Sequence, residues 1–132
     1  EFKHSLCIVD VHASHADLTN DYASIPYEMK KVAQYFGKEV LRDVEEAEFY
    51  KKLPEVRTAI NDRAVLRTIH LFEENKRVEK AVSALNDRDF DTFKKTIKAS
   101  GESSFKYLQN ICVAHLVLQS HGYKVKVLYR LL

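Results

Sequence analysis

The chain has 132 residues, of which 45% are hydrophobic and 11% aromatic, enough to bury one core and to favour a single domain. Its 21 Lys and Arg nearly balance 19 Asp and Glu, so the concentrated basic surface of a nucleic-acid-binding protein is not expected. Cys7 and Cys112 lie far apart, and the first residues lack the order of a signal peptide, which predicts reduced thiols and a cytoplasmic location. The longest nearly apolar run, residues 111–118, is interrupted by His115 and is too short to cross a membrane, so no membrane role is expected.

The first half of the chain predicts a strand, a loop and a helix. Residues 6–11 read LCIVDV, a β-branched apolar run typical of a buried strand. After a polar loop, Ser24 is predicted to cap a helix that has Pro26 in its first turn and ends at Gly37. Residues 40–44 favour a short extended segment.

The second half is predicted to be mainly helical. Apolar residues recur at helical spacing over residues 62–85, and Asp89 is predicted to cap a further helix that ends at Gly101. Residues 123–128 read YKVKVL and alternate as in a half-buried strand. The elements together predict an α+β fold: one helix-rich domain with a few strands.

The closest approach to a metal site is the loop that holds His12, His15 and Asp17, with Asp10 nearby. Imidazole and carboxylate groups suit zinc and similar ions. However, two residues separate the histidines, and no second cluster stands at a recognisable spacing, so a polar loop is favoured and no metal ligand is assigned.

No catalytic residue is assigned either. Ser103 and Ser104 could suggest nucleophilic catalysis with a histidine, but no glycine-flanked elbow presents either serine. His70 lies inside the long helical pattern, where a structural role at the edge of the core is favoured over that of a base. The neighbours Glu73 and Glu74 point in different directions on a helix and do not form a carboxylate pair.

Charged side chains on the long helix predict a solvated face. Glu73 is expected to pair with Arg77 four residues later, and Glu74 is expected to face solvent.

Glycine is scarce in this sequence. Gly37, Gly101 and Gly122 are its three glycines, so no Walker loop or other glycine-rich nucleotide loop can be assembled from them. We therefore expect the chain alone to have no cofactor-binding site for ATP.

Four blocks of sequence, in this order, resemble galactokinases of the GHMP sugar-kinase superfamily: HADLTNDYASIPYEM, GKEVLRDV, DRAVLRTIHLFEENKRVEKAVSALNDRDFDTF and SSFKYLQN. They resemble the later part of those enzymes. The resemblance implies a two-lobed kinase that transfers the γ-phosphate of ATP to the anomeric hydroxyl of galactose, assisted by magnesium. It also predicts a C-terminal-lobe segment over residues 1–110 and a tail, residues 111–132, that departs from the family pattern.

Tyr22, in the NDY segment, matches the family tyrosine that contacts galactose. The family's Arg-Glu-His-Asp sugar segment, phosphate loop and catalytic Asp have no match here, so ATP and magnesium are expected for the complete family enzyme and not for this chain. We expect this chain alone to be inactive and to bind galactose very weakly, since sugar binding needs several convergent polar groups.

Three further expectations concern partners and alternative functions. Apolar surface left uncovered tends to be buried by self-association, which predicts a homodimer. The alternative functions are a non-catalytic helical interaction or sugar-sensing module, and a small metal-dependent hydrolase built on His12, His15 and Asp17.

Overall fold

The computed structural model describes residues 19–110, and the side chains from residue 22 onward. Within this range every regular element is helical. The elements are α1 (Thr19–Tyr35), a 3-10 turn (Leu41–Asp43), α2 (Glu46–Lys51), α3 (Leu53–Ala59), α4 (Asp62–Asn86), α5 (Phe90–Ser103) and a π-helical turn (Ser104–Leu108). The predicted α+β class is therefore wrong, because the part of the chain that the structure describes is all-α.

The extended segment predicted at residues 40–44 is in fact the 3-10 turn. Val40 and Val44 keep extended backbone angles, but the residues between them close a tight turn in which the N–H of Val44 donates to the carbonyl of Leu41. Leu41 and Val44 are both buried in the core. These apolar residues thus fold the connection between α1 and α2 onto the core instead of pairing as a strand. The strands predicted at residues 6–11 and 123–128 lie outside the described residues.

Helix α1 begins earlier than predicted and ends as predicted. It starts at Thr19, so Pro26 lies inside the helix and not in its first turn. The helix ends before Gly37, whose φ of +68° is a left-handed conformation that glycine adopts without steric cost. The apolar face that the sequence predicted for this helix is buried or packed on the core: Met29, Val32, Ala33 and Phe36.

Helix α4 is the central element of the described fold. The side chain of Asn61 caps it by accepting a hydrogen bond from the N–H of Ala64 at 2.7 Å. Helices α1, α3 and α5 and the π-helical turn all contact α4. Phe49 of α2 packs edge-on against Phe72 of α4, with ring centroids 5.5 Å apart. The buried apolar residues form one core: Val32, Ala33, Leu41, Val44, Phe49, Val56, Ala64, Val65 and Phe72.

Helix α5 begins at its predicted cap and runs past its predicted end. The carboxylate of Asp89 accepts a hydrogen bond from the N–H of Thr92 at 2.9 Å. The helix continues through Gly101 to Ser103 and passes into the π-helical turn, after which Gln109 adopts a positive φ of 58°. The chain therefore turns at Gln109, eight residues later than the glycine suggested.

Two findings bear on the other predictions. No helix within residues 19–110 is long and apolar enough to span a bilayer. The division of the chain into residues 1–110 and 111–132 stays a prediction, because the second segment lies outside the described residues.

Candidate functional site

Tyr22, the residue assigned by resemblance to galactose binding, lies near the start of α1. Its side chain is 42% exposed, so the ring is within reach of a ligand from solvent. The neighbouring helical turn carries Ser24 and Glu28, which point to a buried cluster and not to solvent. The role of Tyr22 as a sugar contact stays a prediction.

A buried carboxylate, Glu28, anchors α1 to α4. The guanidinium of Arg63 donates to both of its carboxylate oxygens, with Nη2 2.7 Å from Oε1 and Nε 3.2 Å from Oε2. Arg67 donates to Oε2 at 2.8 Å. The side chain of Glu28 is 5% exposed and that of Arg67 is 2% exposed, whereas Arg63 is about half exposed. The pairing explains how a carboxylate is tolerated inside the fold.

Arg67 joins three segments of the chain. One nitrogen of its guanidinium, Nη1, donates to Ser24 Oγ at 2.8 Å and to Glu28, both on α1. Its Nε donates to the carbonyl of Leu108, at the end of the π-helical turn, at 3.2 Å. The prediction that Ser24 caps a helix is therefore wrong. Ser24 lies inside α1, and its hydroxyl accepts a hydrogen bond from Arg67. The geometry fixes the turn of α1 that follows Tyr22.

The electrostatics of the cluster make Glu28 a permanent anion at neutral pH. Burial by itself would raise its pKa, but the hydrogen bonds and positive charges of Arg63 and Arg67 outweigh burial, and the pKa lies below its ordinary value of 4.5. A carboxylate held in this state is a poor proton donor or acceptor near pH 7. The cluster of Glu28, Arg63 and Arg67 thus positions α1 and does no proton chemistry.

Sequence reasoning missed Arg67. The signal that could have found it is its place on the apolar face of α4, three residues after the buried Ala64 and one before the buried Thr68. A charge on such a face needs a partner from another element.

A second polar cluster joins α4 to α5, and we call it the His70 cluster: His70, Glu74, Arg77, Ser100 and Ser103. His70 Nδ1 lies 2.9 Å from Ser103 Oγ, and Arg77 Nη2 donates to the same oxygen at 2.8 Å. Glu74 accepts from Arg77 Nε at 2.7 Å and from Ser100 Oγ at 2.5 Å. The structure thus brings together a serine and a histidine that the sequence separates by 33 positions.

The His70 cluster has hydrogen bonds that resemble those of a nucleophilic site, but its burial argues against catalysis. His70 is 7% exposed and Ser103 is 5% exposed, so a substrate has no access to either group. Ser103 lies within α5 and its oxygen already accepts from Arg77, whereas an activated serine projects from a sharp turn beside free N–H donors. Burial, with Arg77, lowers the pKa of His70, so its ring is neutral at pH 7.

The remaining predicted groups are structural or lie elsewhere. Glu73 pairs with Lys76 at 3.0 Å, and the predicted pairing of Glu73 with Arg77 is wrong, because Arg77 bonds Glu74. Ser104 is buried in the π-helical turn. Between residues 22 and 110, no three His, Cys, Asp or Glu side chains are grouped so that they could hold a metal ion. The loop with His12, His15 and Asp17 lies outside the described residues.

Comparison with known proteins points to one family. Galactokinase of Haemophilus influenzae strain PittEE is 33% identical over 99 residues, which cover 75% of this chain and 26% of the relative. Galactokinase of Actinobacillus pleuropneumoniae serotype 3 is 36% identical over 86 residues, which cover 65% of this chain and 22% of the relative. Galactokinase of Mannheimia succiniciproducens is 33% identical over 99 residues, which cover 75% of this chain and 26% of the relative.

These matches cover most of this chain but only a small part of each relative. No family model matches the chain, and no solved structure matches it. The chain spans about a quarter of the length of the relatives it matches. Over most of its own length, however, it is similar to galactokinases from three bacterial genera, in agreement with the resemblance seen in its sequence blocks. Over most of its own length the chain is therefore galactokinase-like.

Proposed function

We propose that this chain is the later, C-terminal-lobe part of a galactokinase, and that the whole enzyme transfers phosphate from ATP to the anomeric hydroxyl of galactose with the help of magnesium. The observation that carries the proposal is the 33–36% identity to galactokinases over 65–75% of the chain. A cytoplasmic location belongs to the same proposal and is supported by the two widely separated cysteines.

We also propose that the chain alone does not phosphorylate galactose. The three glycines of the sequence are too few and too dispersed to form a phosphate-binding loop. The test is an ADP-release assay of the 132-residue chain with galactose, ATP and magnesium. We expect no release above the background without galactose. Turnover at the ordinary rate of kinases, roughly 1 to 100 per second, would contradict the proposal.

Within this function, Tyr22 is proposed to contact the sugar. Its exposure on a helix that Arg67 holds in place supports the assignment. Galactose titrated into isotope-labelled chain should cause weak, saturable NMR shifts around Tyr22, and Tyr22→Phe should abolish them. Tyr27→Phe is the matched control, because Tyr27 is also an exposed tyrosine of α1. Equal shifts in the two variants would exclude a specific role for the Tyr22 hydroxyl.

A homodimer is a further proposal, carried by an exposed apolar stripe on α4. Val78, Val82 and Leu85 are all exposed, with Val82 at 53%, and they follow Asn75 at spacings of three, four and three residues. This is the spacing of the seam between two paired helices, in which one polar Asn is tolerated and fixes the register. Two copies related by a twofold axis would cover each other's stripe.

The oligomeric state tests the homodimer directly. Light scattering of the chain should give the mass of a dimer, and Val82→Glu should give a monomer, because a buried unpaired carboxylate would oppose association. Lys80→Glu introduces the same side chain two residues away from the stripe residue and should leave the dimer intact. A monomeric wild-type chain at micromolar concentration would exclude the proposal.

A further inference from the structure

The His70 cluster holds the C-terminal end of α5 on α4 through three hydrogen bonds between the helices. Ser103 bonds His70 and Arg77, and Ser100 bonds Glu74. The first residue of the π-helical turn, Ser104, follows Ser103 directly. The same cluster therefore fixes the point at which α5 gives way to this turn.

The protons of the His70 cluster can be assigned from its donors and acceptors. Ser103 Oγ has one proton and two lone pairs, and Arg77 Nη2 occupies one lone pair. With His70 neutral, the Ser103 hydroxyl donates to His70 Nδ1 and the Ser100 hydroxyl donates to Glu74, so both serine protons have an acceptor. The cluster then holds one anion, Glu74, and one cation, Arg77.

Protonation of His70 disturbs this arrangement in two ways. Nδ1 becomes a donor, so it must take the second lone pair of Ser103 Oγ, and the hydroxyl proton loses its acceptor. The ring also becomes a second cation beside Arg77, with both cations on the same oxygen and Glu74 as their one carboxylate partner. Among residues 19–110, the charged groups that act on His70 are Glu74 and Arg77, both on α4, while α5 contributes hydroxyls.

We propose that the His70 cluster is a pH-sensitive latch, which holds the C-terminal end of α5 and the π-helical turn on α4 while His70 is neutral and releases them when His70 is protonated. The direction of the pKa agrees with this geometry. Burial, the larger effect, and Arg77 lower the pKa of His70 below its ordinary value of 6.5, and the nearby Glu74 only partly opposes them.

The size of the effect follows from proton linkage. Once the end of α5 is released, His70 is exposed and regains its ordinary pKa of 6.5, so the open form binds a proton that the closed form resists. The equilibrium constant for opening should therefore rise about tenfold for each pH unit below that value, until the pKa of the closed form is reached. Above neutral pH, opening should not depend on pH.

Amide hydrogen exchange of the full 132-residue chain tests the latch. Protection factors, corrected for the pH dependence of intrinsic exchange, should fall over residues 101–108 between pH 7.5 and pH 5.5, by about tenfold at most. The ring signals of Phe49 should stay native at both pH values. Unchanged protection at residues 101–108, or loss of the native Phe49 signals together with that protection, would overturn the proposal.

A variant and a second measurement identify the titrating group. His70→Gln keeps an acceptor for the Ser103 hydroxyl but cannot gain a proton, so the fall in protection should disappear in this variant. A fall that persists in His70→Gln would overturn the proposal and assign the effect to a group other than His70. NMR titration of the His70 ring in the wild-type chain does not depend on how the variant folds: its midpoint should lie below 6.5, at the pH where the fall in protection levels off, and a midpoint at or above 6.5 would exclude the latch.

Discussion

Arg63 and Arg67 share one carboxylate, Glu28, but they lie at different depths, and this difference decides what each contributes. Arg67 is enclosed and has partners on α1 and in the π-helical turn, whereas Arg63 is half exposed. An enclosed arginine with several oriented partners is costly to replace, because each partner loses its donor and stays buried. The stability of the described fold should therefore depend far more on Arg67 than on arginines at the surface.

Replacing Arg67 by methionine should lower the free energy of unfolding by about 3–5 kcal/mol, since the buried Glu28 loses its enclosed partner. Urea denaturation at pH 7 gives the value. Arg57→Met is the control: Arg57 pairs with Asp62 on the open surface, and we expect a much smaller loss. Similar losses in the two variants would contradict the structural role given to Arg67.

Glu28 should also set part of the acid sensitivity of the fold. Because its folded-state pKa lies below the ordinary value of 4.5, the ionised carboxylate stabilises the fold above about that pH, and this contribution is lost as the pH falls through the folded-state pKa. Urea midpoints measured from pH 6 down to pH 3 should fall less steeply in Glu28→Gln than in the wild type. Parallel curves would show that Glu28 has no lowered pKa.

At the scale of elements, the cap of α4 is a local feature with a measurable effect. Asn61 Oδ1 accepts from the N–H of Ala64, one of the donors that a helix leaves unsatisfied at its start. Asn61→Ala should reduce the free energy of unfolding by about 1 kcal/mol, and Asn61→Asp, which keeps an acceptor oxygen, should reduce it less. Thermal unfolding of the two variants checks this, and a larger loss for Asp than for Ala would refute the role of the cap.

The helices differ in how far the sequence predicted them. Helix α4 was predicted over residues 62–85 and spans Asp62–Asn86, because apolar spacing over many turns is a strong signal. The start of α1 was predicted too late, because Pro26 is typical of a first turn and four of the seven preceding helical residues are Thr, Asn, Asp or Ser, which favour loops and caps. β-Branched residues favour strands and so predict an extended segment at residues 40–44, but burial of Leu41 and Val44 against the helices decides its structure.

The candidate sites were harder to predict than the helices, for a physical reason. Arg67 finds Glu28 at a sequence separation of 39 residues and the carbonyl of Leu108 at a separation of 41. His70 and Ser103 meet only because α4 and α5 pack side by side. The spacing of residues along one helix predicts which of them share a face, but it does not predict which residues of another helix pack against that face. Pairs such as these therefore depend on tertiary packing. The sugar contact of Tyr22 came from family resemblance and not from pattern.

At the scale of the whole described fold, Phe49 connects three parts of the core. It is fully buried, packs against Phe36 just after α1 and against Phe72 of α4, and itself belongs to α2. Phe49→Ala should cost about 3–5 kcal/mol by creating a cavity, while Val40→Ala, at an exposed position, should change stability little. Denaturant unfolding compares the two, and equal losses would show that the core is not centred on Phe49.

Helix α4 has 25 residues and is therefore about 37 Å long, and its partners α3 and α5 are its neighbours along the chain. Contacts between neighbouring elements need little loop closure, so chains rich in them fold quickly. Stopped-flow or temperature-jump measurements should find folding on the microsecond-to-millisecond scale. Among the long helices within residues 19–110, α1 is the one that contacts α4 without being its neighbour along the chain. During synthesis, the apolar face of α1 would therefore stay exposed until α4 has left the ribosome and can pack against it.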